Sequence, residues 1–535
     1  MSFVRTLLVN GDQLDLKPRA WRLLPAGSSA VLALFGLLVL LGACAQPEAE
    51  DPLARYRPAM KPAFESQLET VDKAPRYDLD ISYDPAEKQL RGTGAIVLFN
   101  TSPDPWRNLL FRLYPALEQY SGGFAVQGAA VNGHPVPFNY DDTYTAVRLN
   151  LSRPLEPGDR AEVRLSWVLN VPQWSDGTGV YALFGTSQQM TSLPLFYPSL
   201  AVYQPESGLR AGRWWTETGT VRGDAAYNYT SLFVVTATLP AEQIPVTSGT
   251  LITSTLIGNG QARHVWVTGP SREFVLQMSP LFRSAYTETY GTRVTSFWLP
   301  GNEGAGRAAL IYAVAALRIY SDRFGPYPFR DLRVAPAPIG FRGMEYPQVV
   351  MLGPELYSRF RENLEMLVAH EVAHQWWYQI VHNDPVNEPW LDESLAEYSM
   401  KIYMEELRGR RDADLLVFKR WQVPLNGLID QGKDTLVSGR VSSFADGSQY
   451  ETIVYGKGAL FYEALRKQLG DRRFFRFLHN YLEKHRWGIV DSATWQADLA
   501  TLQDPAVDAL YQQWVRQPVA QPVNSRDEVA GDAGK

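Results

Sequence analysis

The stretch from His370 to Glu393, HEVAHQWWYQIVHNDPVNEPWLDE, contains residues whose types and spacing suit metal chemistry. His370 and His374 are four positions apart, so on an α-helix both imidazoles project from one face. Two imidazoles one helical turn apart can bind the same metal ion. Glu371 lies between them in an HExxH arrangement, in which the glutamate acts as a general base on a metal-bound water. The pattern predicts metal-assisted hydrolysis.

Glu393 is the best candidate for a third ligand. Eighteen residues separate it from His374, enough to end one helix, turn and begin another. Pro389 suits the first turn of that second helix, where its missing N–H costs nothing. Four apolar residues then follow at helical spacing: Leu391, Leu395, Tyr398 and Ile402. Because Glu393 lies off this stripe, the three side chains and one water can form an open, tetrahedral site for one zinc ion.

The alternative is that the HExxH pattern arose by chance on a helix surface. With seven histidines in the chain, the pentapeptide alone does not exclude this. The segment from Met366 to Trp377 argues against this, because it is apolar nearly all round and therefore typical of a buried helix. Unpaired ionisable side chains are costly in such a helix, and metal binding would offset that cost.

Composition sets the wider limits. The 535 residues allow two to four domains, and 45% hydrophobic with 20% charged residues is ordinary for a globular protein. A formal net charge of −6 and the lack of any long basic run argue against nucleic acid as a partner.

Cys44 is the only cysteine, so intramolecular disulfides and cysteine metal sites are excluded. It follows several basic residues and lies at the end of an uncharged run from Leu23 to Ala45, directly after small residues. This order resembles a bacterial lipoprotein signal, which predicts a signal peptide over 1–43 and a lipidated Cys44. The protein would then be anchored to a membrane of the bacterial cell envelope, outside the cytoplasmic membrane. An uncleaved transmembrane anchor is the alternative.

The remaining chain divides by pattern. Residues 44–72 are rich in proline, alanine and charge and predict a flexible tether. Alternating strands follow at 77–83, 94–100, 108–114, 161–171, 231–239 and 264–269, which predicts a β domain over 73–285. A packed helix at 305–325 opens a catalytic domain over 286–470, followed by a short helical extension over 471–516 and a disordered tail over 517–535. The fold class expected is α+β and multidomain.

Four motifs occur in a characteristic order: GMEYP at 343–347, HEVAHQWW at 370–377, WLDESLAEY at 390–398 and YGKGALFYEAL at 455–465. With the β domain ahead of them, they resemble the gluzincin zinc metallopeptidases related to aminopeptidase N. The resemblance implies a saddle-like β-sheet domain followed by a thermolysin-like catalytic domain, with a peptide bound in the cleft between them. It also implies a zinc-dependent aminopeptidase.

The resemblance assigns roles residue by residue. His370, His374 and Glu393 would bind zinc and Glu371 would be the base, as the spacing alone suggested. Tyr455 would donate a hydrogen bond to the tetrahedral oxyanion; without the resemblance it would be interpreted as a core aromatic residue.

The resemblance also implies the substrate contacts. Gly343, Met344 and Glu345 correspond to a strand whose backbone pairs with the substrate and whose glutamate binds the free α-amine. Tyr346 and Pro347 depart from the asparagine that is usual after this glutamate. In the β domain, Gln189, with Gln188 beside it, is the nearest equivalent of a second amine-binding residue; alternatively, both belong to a simple polar loop.

Several alternatives stay open at this point. Glu397, one turn after Glu393, either accepts a hydrogen bond from a zinc-binding imidazole or is a solvated helix residue. The protein could be an endopeptidase of the same fold, or a non-catalytic, zinc-containing peptide-binding component of a membrane complex. Larger family members continue into a long helical domain, whereas about eighty residues follow Tyr455 here. The cleft is therefore expected to be more open, or to be covered by another protein.

Overall fold

The computed structural model describes residues 51–174, 183–218, 223–340 and 342–519. From residue 51 onwards, the described chain forms one compact unit. The predicted signal peptide and Cys44 lie outside these residues. Within them, no helix has both the length and the apolar character needed to cross a membrane.

The tether prediction is wrong for residues 53–71. This segment forms two 3-10 helices, Ala54–Ala59 and Pro62–Val71, and its apolar side chains join the core around the helical part of the chain. Met60 is fully buried and forms a β-bridge with Phe329. The sequence did not reveal this because 3-10 helices lack the 3.6-residue period by which an amphipathic α-helix is recognised.

The first part of the body is rich in β-strands. Its strands are, in chain order, β1 (Arg76–Asp84), β2 (Gln89–Phe99), β3 (Trp106–Arg112), β4 (Gly123–Val131), β5 (His134–Pro135), β6 (Phe138–Tyr140), β7 (Ala146–Leu155), β8 (Arg160–Asn170), β9 (Gly185–Thr186), β10 (Thr191–Pro194), β11 (Ser199–Leu200), β12 (Tyr203–Gln204), β13 (Arg213–Trp214), β14 (Leu232–Pro240), β15 (Ile244–Thr247), β16 (Thr250–Gly258), β17 (Gln261–Val267) and β18 (Val275–Ser279).

The largest sheet has eight strands in the order β16-β17-β14-β1-β2-β8-β4-β5. Strand β1 alternates as its sequence predicted, with its apolar residues buried and its aspartates exposed. Two four-stranded sheets, β15-β18-β10-β9 and β11-β3-β7-β6, complete most of this part. Inward-facing side chains of all three sheets form one of the two large hydrophobic cores of the body.

A five-stranded sheet comes next in the chain, ahead of the helices of the predicted catalytic domain. Its strands are β19 (Arg283–Thr289), β20 (Thr292–Trp298), β21 (Asp331–Pro336), β22 (Gly343–Met344) and β23 (Val349–Leu352), and their order is β19-β20-β21-β23-β22. Strand β22 is therefore an edge strand, paired antiparallel to β23 on one side. The predicted helix at 305–325 is present as α1 (Glu303–Phe324), which packs against β20.

Helices make up the rest of the body. They are α2 (Leu364–Ala373), α3 (Trp390–Arg408), α4 (Arg410–Leu416), α5 (Val423–Asp430), α6 (Gly447–Tyr450), α7 (Gly458–Leu469), α8 (Asp471–His485), α9 (Ser492–Ala500) and α10 (Pro505–Val515). Two segments, Val417–Gln422 and Glu451–Lys457, are π-helical, a local form that often occurs at functional sites. The expected fold class, a sheet-rich part followed by a helical catalytic region, is confirmed. The exact domain boundaries stay predictions.

Candidate active site

Three potential metal ligands converge where α2 meets α3. His370 lies in the last turn of α2, His374 directly follows that helix with helical dihedral angles, and Glu393 lies in the first turn of α3. The Nε2 atoms of the two histidines are 3.1 Å apart, and they lie 3.2 and 3.3 Å from Oε2 of Glu393. Two imidazoles and one carboxylate form a donor set that suits zinc. The three side chains predicted as ligands therefore fit one zinc ion.

The electrostatics of this cluster favour positive charge. Burial acts to raise the pKa of Glu393, but hydrogen bonds to His370 and His374 outweigh it and leave the pKa below its ordinary value. Burial likewise acts to lower the pKa of His370, yet Glu393 and Glu397 raise it to about 9. Without a metal, the buried cluster therefore binds protons, and a divalent cation would satisfy the same demand.

Groups behind the ligands fix the orientation of both imidazoles. Nδ1 of His374 lies 2.8 Å from the carbonyl oxygen of Trp377, so this nitrogen donates and Nε2 is left to bind metal. On the other imidazole, Nδ1 of His370 lies 3.4 Å from Oε2 of Glu397, an ion-pair distance. Glu397 is only 1% exposed, which excludes the solvated alternative. It therefore supports the metal ligands.

Glu397 is itself held by two side chains of the first π-helical segment. Arg420 donates from Nε at 2.5 Å, and the indole of Trp421 donates at 2.7 Å, both to Oε1. Sequence reasoning missed both residues, because their contact with α3 depends on the tertiary packing of a π-helix that has no simple sequence signal. The extra residue of a π turn changes which side chains face the site.

Removing the carboxylate of Glu397 is expected to weaken zinc binding by about 10- to 100-fold, the usual loss when a group that orients a metal ligand is removed. The variant Glu397→Gln keeps the side-chain shape, and its zinc affinity can be measured by titration against a competing chelator. Glu405→Gln is the matched control, since Glu405 is on the same helix but pairs with Arg466. Equal affinities for the two variants would contradict the assigned role.

The proposed base Glu371 packs against strand β22. Its carboxylate is buried, and a Cβ atom placed on Gly343 would lie only 2.1 Å from its Oε1 atom. A side chain at position 343 would therefore displace the carboxylate of Glu371, because the backbone of the edge strand approaches it closely. The structure thus explains why a glycine begins the GMEYP motif.

Gly343→Ala is expected to lower kcat by about 100-fold while zinc stays bound, because the new methyl group would push the Glu371 carboxylate out of position. Steady-state kinetics on an N-terminal substrate and a metal assay would test this. Gly427→Ala is a suitable control, since no described atom lies within 4 Å of the position that its Cβ would take, and Ala favours the surrounding helix. Loss of zinc from Gly343→Ala would show a wider collapse of the site.

Tyr455 reaches the centre of the site from the second π-helical segment. Its hydroxyl donates a hydrogen bond of 2.5 Å to Oε1 of Glu393, and its ring stacks on His370 with centroids 5.7 Å apart. The structure therefore places this residue beside the metal ligands, where it also packs against the hydrophobic core. Tyr455 also lines the same cavity as the three ligands.

Two buried carboxylates lie next to the catalytic groups. Burial raises the pKa of Glu345, with His374 opposing the shift. Burial, followed by the charge of Glu345, raises the pKa of Asp224 well above its ordinary value. Both are less than a tenth exposed, and Oδ2 of Asp224 has no hydrogen-bond partner among the described residues. The pair forms a site that would gain from an arriving ammonium group.

The assignment of Gln189 is corrected by this geometry. Gln189 and Gln188 are both exposed, and the backbone carbonyl of Gln189 accepts a hydrogen bond from Ser279. Neither glutamine lines the cavity, whereas Asp224 does. Spacing along the chain misled the prediction because a loop can differ in length between relatives. In the sequence, the only signal for Asp224 was that it is the one charged residue in the stretch GDAAYNY.

The three metal ligands, Glu371, Tyr455 and the two buried carboxylates line one cavity of about 310 Å³. Its lining comprises Gly223, Asp224, Arg342, Gly343, Met344, Glu345, Leu367, His370, Glu371, His374, Glu393, Glu397, Arg420, Pro424, Ser448, Glu451, Thr452, Tyr455 and Gly456. The volume is at the small end of the range for ligand pockets. A metal ion, a base, a hydrogen-bond donor and an ammonium site can therefore act together on a small substrate.

Comparison with known proteins agrees with this chemistry. Residues 312–514 match the peptidase family M1 domain. Aminopeptidase N of Lactococcus lactis is 28% identical over 230 residues, covering 41% of this chain and 27% of its own length. Aminopeptidase M1-A of rice, Oryza sativa, is 22% identical over 428 residues, covering 75% of this chain and 45% of its own length. The chain thus spans less than half the length of these curated relatives.

Solved structures show the same fold. The M1 zinc metallopeptidase from Deinococcus radiodurans superimposes with a TM-score of 0.62 at 20% identity, covering 84% of this chain and 97% of its own. Its catalytic region, like this one, follows a sheet-rich part. Residues 312–514 therefore resemble the catalytic domain of family M1 peptidases, and the chain shares the fold of M1 zinc metallopeptidases.

Proposed function

We propose that the protein is a zinc-dependent aminopeptidase that removes N-terminal residues from peptides. The observation that carries this proposal is that the cavity with the three converging metal ligands also holds two buried carboxylates, Glu345 and Asp224. A free α-ammonium group is the part of a peptide that such carboxylates would bind. The names of the curated relatives, which include leucine aminopeptidases and aminopeptidase N, support the same activity.

The zinc ligands, Glu371 and Tyr455 each have a separate role in the proposed reaction. A zinc ion held by His370, His374 and Glu393 would supply Lewis-acid chemistry, polarising the scissile carbonyl and acidifying water. Glu371 accepts a proton from the attacking water and passes it to the leaving amine. Tyr455 donates a hydrogen bond to the oxygen that becomes negatively charged.

The environment of Glu371 suits a group that must both take and return a proton. In the absence of a metal ion, burial, followed by the charge of Glu345, raises the pKa of Glu371 to about 8, against the opposing effect of the two histidines, and a bound cation would lower it again. A carboxylate with a raised pKa is a stronger base than an exposed one. The same burial keeps bulk water away from the proton during transfer.

Blocking the substrate's N-terminus tests the proposal directly. Acetylated peptides are expected not to be cleaved, because they lack the charge that Glu345 and Asp224 bind. Glu345→Gln should reduce the preference for free over acetylated peptides by about tenfold or more, since a charge-assisted hydrogen bond is lost. Paired kcat/KM measurements on the two peptide forms would show this.

Other outcomes would identify the alternatives. Rapid cleavage of acetylated peptides at internal bonds would show an endopeptidase. Stoichiometric zinc without turnover of any peptide would favour a non-catalytic binding protein. The geometry counts against that second alternative, because a structural zinc site needs neither a base such as Glu371 nor an open coordination position.

We further propose that the protein is lipid-anchored through Cys44, outside the cytoplasmic membrane. The support is in the sequence: the only cysteine follows an uncharged run and a group of small residues. Several acyl chains would hold it firmly, at about 0.8 kcal/mol for each buried methylene. A lipoprotein would begin at an acylated Cys44 after removal of residues 1–43, whereas an uncleaved transmembrane anchor would keep them, and the mass of the intact purified protein would distinguish the two. A partner that covers the C-terminal side stays a prediction.

A further inference from the structure

Strand β16, with the sequence TLITSTLIG, has an outer edge without a partner strand in the described part of the chain. It ends the eight-stranded sheet and pairs only with β17, antiparallel and on one side. All residues from 251 to 258 are exposed. The outer edge of β16 therefore presents backbone N–H and C=O groups that can pair with another strand.

The side chains of β16 give this edge little protection against pairing. Folded proteins usually prevent it with charged residues, proline or bulges. Strand β16 has no charge and no proline, although bulges at Ile252 and Ile257 interrupt its register with β17. Between 43% and 76% of the surface is exposed at each of its four large apolar residues, Leu251, Ile252, Leu256 and Ile257. Exposed apolar side chains grouped in this way are typical of an interaction surface.

The sequence of β16 is nearly the same when it is followed in either direction from Ser254. The residues that match across this centre are Thr253 with Thr255, Ile252 with Leu256, and Leu251 with Ile257. If two copies of β16 pair antiparallel about a two-fold axis at Ser254, each of these residues faces one of its own kind. Threonine then meets threonine and apolar side chains meet apolar ones, which are favourable cross-strand pairs.

This match holds in one register. Side chains alternate between the faces of a sheet, so in a two-fold symmetric antiparallel pair one residue must face its own copy. With Thr253 in that position, Ile252 would face Ser254. With Thr255 in that position, Leu256 would face Ser254. The sequence therefore specifies Ser254 as the centre of the pair.

A second copy of the chain fits this edge better than a lipid surface or an unrelated strand. Hydrocarbon offers no partner for backbone N–H and C=O groups, so lipid would leave the outer edge of β16 unsatisfied. An unrelated strand could pair with the backbone, but it would not account for the match across Ser254. A copy of β16 satisfies both the backbone and the side chains.

We propose that two copies of the protein pair through β16, antiparallel and with Ser254 facing Ser254, so that their eight-stranded sheets become one continuous sheet. The same strand serves both copies, as a two-fold symmetric interface requires. No residue of β16 lines the active-site cavity. The inference therefore goes beyond the proposed peptidase function and does not depend on it.

Cysteine cross-linking of the full chain tests both the pairing and its register. Facing residues of antiparallel strands have Cα atoms about 4.5–5.5 Å apart, a distance that a disulfide can bridge. Ser254→Cys should therefore give a covalent dimer under mild oxidation. Leu251→Cys should not, because the two copies of residue 251 would lie six positions, or about 20 Å, apart along the strands. Adding Ile257→Cys to Leu251→Cys should restore the dimer. The unaltered chain, which contains Cys44, sets the background.

A charge at the centre of the pair should separate the two copies. Ser254→Lys would place two ammonium groups opposite each other. Its mass in detergent solution, measured by sedimentation, should be that of one chain, whereas the wild type should have twice that mass. Ser284→Lys makes the same change at an exposed position of the edge strand β19 and should remain dimeric. Circular dichroism should show the same folded spectrum for both variants.

Three results would each overturn the inference. The first is a wild-type chain that stays monomeric. The second is a Ser254→Cys variant that forms no covalent dimer, or a Leu251→Cys variant that cross-links equally well. The third is a monomeric chain that binds phospholipid vesicles and loses that binding in Ser254→Lys, since β16 would then be a lipid contact.

Discussion

Glu371→Gln is expected to abolish most of the turnover and leave the zinc in place. Glutamine has nearly the same shape, so it can keep the packing against Gly343. It cannot accept the proton of the attacking water at neutral pH, and positioned acid–base groups contribute about 10²- to 10⁴-fold to rate. We therefore expect kcat to fall by that factor, measured on an aminoacyl arylamide, with one zinc per chain by metal analysis.

The control for this variant is Glu362→Gln, an exposed glutamate just ahead of α2 that lines no part of the cavity. It should retain wild-type kcat and zinc content. If Glu371→Gln kept wild-type kcat in a preparation free of contaminating peptidase, Glu371 would not be the base. If it lost zinc instead, the residue would act in metal binding rather than in proton transfer.

The metal site could be predicted from sequence because its information is local. A four-residue spacing fixes the relative position of His370 and His374 on a helix, and the structure alters this only by ending α2 at Ala373. Glu393 could be found because the apolar stripe marks one face of α3 and Glu393 lies off that face. Strands such as β1 were equally accessible, since a two-residue alternation defines both the strand and its buried face.

Residues that meet only through tertiary packing could not be predicted in this way. Asp224 and Glu345 are more than a hundred positions apart, and nothing local marks the first as a partner of the second. The same holds for Arg420, which reaches Glu397 from a π-helical segment. Residues 53–71 were misjudged for a related reason, because their burial is decided by the surface they pack on rather than by their own pattern.

Both π-helical segments contribute to the metal site. Each supplies a side chain to the metal ligands: Arg420 acts through Glu397 on His370, and Tyr455 contacts Glu393 directly. The segments also pack against each other, with Gly456 close to the backbone of Trp421. A change in one segment is therefore expected to reach both sides of the metal site.

Tyr455→Phe is expected to lower kcat by about 10²- to 10³-fold, with little change in KM. Removal of one hydrogen-bond donor from an oxyanion site costs about 2.7–4 kcal/mol in the transition state. The ring should stay in place, because phenylalanine can keep the stacking on His370. Zinc should remain bound, since Oε2 of Glu393, the atom that faces both histidines, is not the one that accepts the Tyr455 hydrogen bond.

Tyr462→Phe gives a matched control for this prediction. Tyr462 lies in the adjoining helix α7 and is fully buried, and its hydroxyl has no hydrogen-bond partner in the described part of the chain. The same atom is removed without loss of a contact, so kcat should be unchanged. A Tyr455→Phe variant with wild-type kcat would rule out the oxyanion role. A variant that lost zinc would show that the hydroxyl serves chiefly to hold Glu393, and the reduction in kcat would then follow from the metal.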